Sequence, residues 1–352
     1  MSSKLVRDRI SCGLKDKIVQ IHPTLSCNIF CKHCYSNSGP AEKLVLDPKA
    51  LLGLVEDVVD MGYRVISVSG GEPLMYKEIE KVLSYAKSLG LRTTITTNGT
   101  LLDELHLSKL KNCVDLIAVS LDGPPSIHNR IRGSSTAFER LSKGLKVLKD
   151  LDFTFGVIHT LTNESWEHLL WIAEFASKNG ASLLQIHPLE NTGRAKLLDM
   201  QHYLNDDEVL ARVFLLSVAL SAKYENLAIQ FDTFHKEYVL GKPELIYASK
   251  LDTEMEHQKP SDLLHLLVVE ADGSVVPISY GMSKKYEICN IHTQRLREAW
   301  PKYLQKGNYV AFRKLCADVC NKISKPSLFP FFNWYEMLVN SSHESSSMIQ
   351  GS

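Results

Sequence analysis

The residues most able to do chemistry stand close together near the start of the chain. The run Leu25-Ser-Cys27-Asn-Ile-Phe-Cys31-Lys-His-Cys34-Tyr35 holds three cysteines in a Cys-x3-Cys-x2-Cys spacing. Three thiolates on one short loop can hold three corners of a cubane iron–sulfur cluster, for which cysteine is the usual ligand. With no fourth cysteine nearby, one iron would stay open to a small molecule. The alternative is a structural zinc site, which wants four closed ligands; His22 or His33 could supply the fourth. Thiolate softness suits either metal.

These residues need elements to hold them. Short runs rich in Val, Ile, Leu or Thr recur at Ile18–His22, Val65–Ser69, Thr93–Thr97, Leu116–Leu121, Phe155–Thr160 and Leu183–Pro188; each has strand length. Helical patterns lie between them. Pro48–Met61 places Leu51, Leu52, Leu54, Val55, Val58 and Val59 on one face, and similar stripes run through Lys77–Ser88, Phe138–Lys149 and Trp166–Ser177. Six strand–helix alternations predict parallel pairing with right-handed crossovers. Six units are fewer than the eight of a closed barrel. The expected fold is therefore α/β, a partial (β/α)6 TIM-like barrel, with an open doubly wound sheet as the alternative.

After residue 200 the pattern changes. Asp206–Tyr224 reads as a long helix and Leu245–Pro260 as polar and irregular. Leu264–Ile278 is split by Ala271-Asp-Gly-Ser274, and Asp-Gly between apolar runs signals a hairpin. Helical patterns follow at Thr293–Leu304 and Val310–Ile323, then the aromatic run Phe329–Tyr335. The expected organisation is a lead-in over 1–16, the barrel over 17–235, a small α+β module over 236–340 and a disordered serine-rich tail over 341–352.

Composition narrows the function classes. The 352 residues contain 40 Lys plus Arg and 40 Asp plus Glu, a net charge of zero. That balance lacks the basic footprint of a nucleic-acid binder or of a protein held to anionic lipid. No run approaches the ~20 apolar residues of a membrane span, and the charged N-terminus lacks a signal-peptide core. The expected location is cytoplasmic. In that reducing setting eight cysteines favour metal or catalysis over disulfides.

Further motifs accompany the cysteines. Ser69-Gly70-Gly71-Glu72-Pro73 ends the second strand, Thr97-Asn98-Gly99 the third and Ser120-Leu121-Asp122-Gly123 the fourth. Parallel barrels place their active sites at these strand ends. Separately each reads as a turn or a helix cap. Together with Cys27, Cys31 and Cys34, over residues 17 to 200, they resemble the radical S-adenosylmethionine (SAM) superfamily. His33 departs from it, because an aromatic residue usually precedes the third cysteine.

The resemblance implies a [4Fe-4S] cluster on Cys27, Cys31 and Cys34, and SAM chelating the open iron. It implies SAM contacts from Tyr35, Gly70, Gly71, Glu72, Asn98, Ser120, Asp122 and Arg132, with Arg130 in reserve for the SAM carboxylate. Gly70 and Gly71 lack a Cβ, so backbone can approach the methionyl end closely. His159, Gln185, His187 and Glu190 on the fifth and sixth strands could line the same mouth or serve only as packed, hydrogen-bonded residues. The implied chemistry is reductive cleavage of SAM to a 5′-deoxyadenosyl radical that abstracts hydrogen, fed by a reducing donor such as flavodoxin or ferredoxin.

Val268–Pro277 resembles the hairpin that opens the SPASM or twitch extension of radical SAM maturases. Here Ile278 stands where that family usually has a cysteine, and Cys289, Cys316 and Cys320 are the thiols left for an auxiliary cluster. Free buried thiols are the simpler expectation, and Cys289, Cys316 or Tyr280 as a hydrogen donor is a further one. Cys12 and Cys113 read as packing residues. The 26 residues before Cys27 are shorter than a fused recognition domain of about 80 residues. The expectation leans to peptide or protein modification, with a small-molecule or tetrapyrrole-precursor enzyme as the alternative and a non-catalytic metal-binding adaptor as the third reading.

Overall fold

The computed structural model describes residues 17–203, 207–243, 258–325 and 330–347. The expected lead-in with Cys12, and most of the irregular Leu245–Pro260 stretch, lie outside the described residues.

Seven parallel strands follow the chain in order: β1 (Ile18–Ile21), β2 (Val65–Val68), β3 (Arg92–Thr97), β4 (Leu116–Ser120), β5 (Phe155–Leu161), β6 (Leu183–Pro188) and β7 (Ala228–Phe231). The sheet is open, with β7 at one edge. The first six match the sequence expectation. The seventh was missed because its four residues follow directly on the long helix Asp207–Lys223. Two helices also went unread, Glu104–Leu110 and Pro125–Arg132; both are too short to show a stripe of several turns.

Strand alternation decides what faces where. Successive side chains in a strand point to opposite faces. Val19 and Ile21, Ile66 and Val68, Ile95, Ile117 and Val119, Leu184 and Ile186 join the hydrophobic core. The alternate positions carry Gln20, Ser67, Thr96, Thr160, Gln185 and Gln230, which line a cavity. One face of the sheet is thus apolar and covered by helices, and the other is largely polar, with Ile18, Ile158 and Leu266 among its residues.

The helix Pro48–Asp60 illustrates the covering layer. Asp47 caps it, its carboxylate accepting from the Lys49 and Ala50 N–H groups, and Pro48 needs no donor at the first position. Leu51, Leu54, Val55 and Val58 are buried at helical spacing. Burying each such side chain contributes about 1.5–3 kcal/mol.

Most of the C-terminal strands join the barrel sheet. β8 (Phe234–His235) and β12 (Phe331–Phe332) form a separate two-stranded sheet. However, β9 (Leu266–Val269) lies parallel to β1, β10 (Ser274–Pro277) turns back on β9, and β11 (Cys289–Asn290) pairs with β10. The result is one ten-stranded sheet. The Asp-Gly hairpin signal was right; that its first strand joins the barrel is a tertiary fact. The serine-rich end also differs from expectation. Residues 341–347 continue the helix Trp334–Ser347, Ser341 and Ser342 are buried, and Lys322 Nζ pairs with Glu344 at 2.9 Å.

A buried ion network fastens this segment to the barrel. Asp57 is fully buried and accepts from Arg295 Nη2 at 2.6 Å, Arg295 Nε at 3.1 Å and Arg297 N–H at 3.2 Å. Arg297 Nε also lies 3.0 Å from it. Breaking a fully buried pair costs about 3–5 kcal/mol. Both arginines keep partial solvent contact, so Asp57→Ala is expected to cost about 2 kcal/mol. The measurement is the urea midpoint at unchanged m; a midpoint equal to wild type would count against the network.

Candidate functional site

The cysteine loop follows β1 and is held from several sides by backbone. The turn after β2 is seated against it, with Gly71 N–H donating to Thr24 O at 2.8 Å and Glu72 N–H to Ser26 O at 2.9 Å. A Cβ on Gly71 would stand 2.3 Å from Ser26 O. The need for glycine there therefore comes from loop–loop contact, a reason separate from the ligand approach expected from sequence. Lys32 N–H donates to Ile131 O at 2.9 Å.

The turn after β6 closes the other side. Gly193 has φ +56, and a Cβ there would stand 2.2 Å from Tyr35 O and 2.4 Å from Cys34 O. Beside it, Arg194 donates from its backbone N–H to Cys34 O, from Nε to Cys31 O at 2.9 Å and from Nη2 to Ser38 O at 2.6 Å. Its guanidinium lies 3.7 Å from the Phe30 ring centroid, a cation–π contact. Sequence reasoning did not foresee the hold of this turn on the cysteines. A long-range contact leaves no local signal.

Cys27, Cys31 and Cys34 pack together with Ile29 and line one cavity of about 390 Å³. Burial pushes the Cys27 thiol up to about 12 and raises Cys31 as well. A buried thiol with a raised pKa is a poor free nucleophile, and a metal would have to displace its proton. Among the described residues, no three His, Cys, Asp or Glu side chains converge on a single ion. His22 lies outside the cavity lining, kept neutral by burial with a pKa of about 3. His33 lines the cavity, with its Nε2 3.2 Å from Asp122 Oδ2. Among the described residues these thiols and histidines thus form no closed zinc shell. Three thiols spread around one cavity suit a polynuclear cluster, in which each cysteine binds a different iron.

The other expected residues divide into wall and support. Tyr35, Gly70, Gly71, Asn98, Ser120 and Arg132 line the cavity. Glu72 and Asp122 do not; both are fully buried behind it. The Glu72 carboxylate accepts from Thr97 Oγ1 at 2.8 Å, Asn98 N–H at 2.9 Å and Leu74 N–H at 3.2 Å. It ties the ends of β2 and β3 together and has no face toward a ligand. Asp122 accepts from Arg132 Nε at 2.6 Å. Burial alone would raise its pKa, but Arg132 and His33 hold the carboxyl well below the usual carboxylate range.

Asn98 is also more committed than expected. Its Oδ1 accepts from Thr100 N–H and Oγ1, and its Nδ2 faces Asn28 Oδ1 at 2.9 Å and Cys27 Sγ at 3.6 Å. Little of that amide remains for a ribose. Tyr35 Oη lies 2.9 Å from Ser69 Oγ, and its ring meets Tyr280 edge-on. Arg130 stays at the surface, 3.5 Å from Glu164.

A second polar group lines the cavity at β6 and β7. Asp232 Oδ2 accepts from Gln185 Nε2 at 2.6 Å and lies 3.0 Å from His187 Nδ1; Oδ1 accepts from Gln230 Nε2 at 2.7 Å. His187 Nε2 lies 3.3 Å from Glu190 Oε1. Both ring nitrogens face carboxylates, which requires both to carry protons. Asp232 was not singled out from sequence; its place one residue past β7 gave no motif. His159 does not reach the cavity: its nitrogens contact Leu121 O and Ser165 Oγ, and burial lowers its pKa to about 4.

The C-terminal segment contributes Ile278, Ser279 and Tyr280 to the wall. Ile278 has φ +69, an outlier for a β-branched residue that costs about 1–3 kcal/mol. It turns the chain out of β10 so that the next two residues enter the cavity. Cys289, Cys316 and Cys320 lie in the main hydrophobic core instead, and no three-ligand group forms around them among the described residues. Cys113 is buried there too.

The sequence profile of the radical SAM superfamily matches residues 21–176, and this part of the chain is a radical SAM domain. An AdoMet-dependent heme synthase of Methanosarcina barkeri is 34% identical over 176 residues, 49% of this chain and 50% of that protein. The chain spans about half the length of the heme synthases it matches. The cysteine-type anaerobic sulfatase-maturating enzyme of Clostridium perfringens is 25% identical over 301 residues, 77% of this chain and 76% of that one. The solved structure of native anSMEcpe with bound AdoMet and Cp18Cys peptide shares the fold, with a TM-score of 0.63 at 19% identity over 92% of this chain and 87% of that one.

His187 supplies a pH test. Burial alone would lower its pKa, but hydrogen bonds to Asp232 and Glu190 raise it to about 10. Its unfolded pKa is about 6.5. Its stabilising contribution is therefore complete below pH 6.5 and lost as pH rises through 10. The stability gap between wild type and His187→Gln, read from urea midpoints, is expected to be largest near pH 6 and to shrink toward pH 10. A pH-independent gap would count against the ion triad.

Proposed function

We propose that this radical SAM protein is an enzyme that cleaves SAM reductively at a [4Fe-4S] cluster on Cys27, Cys31 and Cys34 and modifies a peptide or protein side chain. The observation that carries the first part is the set of three thiols around one cavity, two of them buried and Cys34 half-buried, at the strand ends of a radical SAM domain. Held by Cys27, Cys31 and Cys34, the cluster would supply the one electron for splitting SAM into methionine and a hydrogen-abstracting 5′-deoxyadenosyl radical. That electron comes from a low-potential donor of the flavodoxin or ferredoxin type.

The chain's own residues bind and orient. Gly70 and Gly71 offer backbone, and Ser120 and Tyr35 offer hydroxyls, where SAM would lie beside the cysteines. Arg132 keeps Nη2 for the SAM carboxylate while Asp122 holds its Nε; a fixed guanidinium matches a carboxylate well. Glu72 and Asp122 act from behind the wall as positioning residues.

The choice of substrate rests on the β6–β7 wall. Because Asp232 takes the amide N–H groups of Gln185 and Gln230, both glutamines turn carbonyl oxygens outward. Glu190 adds a carboxylate to the lining. An array of acceptors favours a donor-rich ligand, such as peptide N–H groups or a basic side chain. It disfavours the propionates of a tetrapyrrole, the chemistry suggested by the heme synthase relatives.

Anaerobically reconstituted protein is expected to bind about four irons per chain and to form 5′-deoxyadenosine from SAM and dithionite. Cys31→Ala is expected to lose both. One bound zinc and no SAM cleavage would favour the adaptor reading. For the substrate, a basic peptide is expected to raise 5′-deoxyadenosine formation above the uncoupled rate and a porphyrin tetracarboxylate to leave it unchanged. The reverse pattern would reassign the enzyme to tetrapyrroles.

A further inference from the structure

Each of the three cysteine sulfurs has one side-chain partner from outside the trio. Asn98 Nδ2 lies 3.6 Å from Cys27 Sγ, Arg132 Nη1 lies 3.7 Å from Cys31 Sγ, and Ser36 Oγ lies 3.4 Å from Cys34 Sγ. The Asn98 orientation is fixed, because Thr100 N–H claims Oδ1 and leaves Nδ2 to face the sulfur. Ser36 shares its hydroxyl among Cys34, Ser38 Oγ at 2.7 Å and Gly70 O at 3.3 Å. Two of the three partners are neutral. The third, Arg132, is a buried cation.

From this asymmetry we infer that Arg132 is a positioning residue that sets the reduction potential of the cluster through Cys31, with Asp122 as its opposing charge. The inference rests on the cluster proposed above. Reduction adds one electron, and one negative charge, to a group already ligated by three thiolates. Donors to the sulfurs and nearby positive charge favour the more negative, reduced form. Arg132 makes the direct sulfur contact, and its burial leaves little solvent or salt to screen it.

Asp122 lies one group further out, 2.6 Å from Arg132 Nε, and its Oδ1 has no hydrogen-bond partner. Its charge is therefore compensated chiefly by Arg132 and His33. The two residues should move the potential in opposite directions. Losing the cation makes the cluster harder to reduce, and losing the carboxylate makes it easier. Arg130, exposed on the same helix, should do neither. A residue that merely held the loop in shape would not produce this pattern of signs.

The test is a redox titration of the reconstituted full chain without SAM, so that binding of its carboxylate does not contribute. The readout is the electron paramagnetic resonance signal of the reduced cluster, with iron content checked for every variant. Arg132→Met is expected to lower the ratio of reduced to oxidised cluster at the wild-type midpoint at least tenfold, which is about 59 mV for one electron. Arg132→Lys should recover part of that, Asp122→Asn should raise the ratio, and Arg130→Met should match wild type. An unchanged midpoint in iron-replete Arg132→Met overturns the inference, as does Asp122→Asn shifting in the same direction as Arg132→Met. If Arg132→Met assembles no cluster, Asp122→Asn decides alone: a rise supports the inference, and no change or a fall overturns it. If the wild type assembles no cluster, the functional reading itself has failed, which the iron analysis shows before any potential is measured.

Discussion

The site depends on the wedging of one loop's backbone between turns that belong to distant strands. The loop that holds Cys27, Cys31 and Cys34 has little regular structure of its own. Its shape is imposed by the turn after β2 pressing on Ser26 and the turn after β6 pressing on Cys34 and Tyr35. At Gly71 and Gly193 the approach is so close that a methyl group would overlap a carbonyl oxygen. Arg194 adds hydrogen bonds to two more carbonyls of the loop. Three thiols can thus face one cavity because the sheet fixes where those turns stand.

Behind that loop, charges are arranged in pairs of wall and support. Glu72 fixes Thr97 and Asn98; Asn98 then presents an N–H to Cys27. Asp122 fixes Arg132 and His33; Arg132 then presents an N–H to Cys31. Buried carboxylates are costly unless their acceptor sites are filled, and Glu72 fills them with three donors. On the far wall Asp232 plays a comparable part, turning two glutamines and a histidine so that acceptors face the cavity. These buried acids orient the groups that meet ligand more than they meet it themselves.

The C-terminal segment completes the same cavity. Its strand β9 continues the sheet beyond β1, which carries Tyr280 to within ring contact of Tyr35 and His22. The Asp57 network secures this placement on the outside of the barrel. The segment's contribution here is position and aromatic surface.

Much was legible in the amino-acid sequence because the relevant physics is local. Strand and helix periodicity revealed six of the seven parallel units, and the cysteine spacing together with the strand-end motifs marked the loop, the cofactor class and the domain family. Local patterns also marked the β9–β10 hairpin through Asp272-Gly273. They could not assign roles within the site. Glu72, Asn98 and Asp122 occupy the positions that suggest ligand contact, but which way a carboxylate or amide turns depends on neighbours 10 to 71 residues away, such as Arg132, Thr97 and Cys27. Arg194 and Asp232 lay in no motif for the same reason. The residue types and their order were determined by sequence alone. The division into groups that face the cavity and groups that hold them there was decided only when the sheet brought distant hydrogen-bonding partners together.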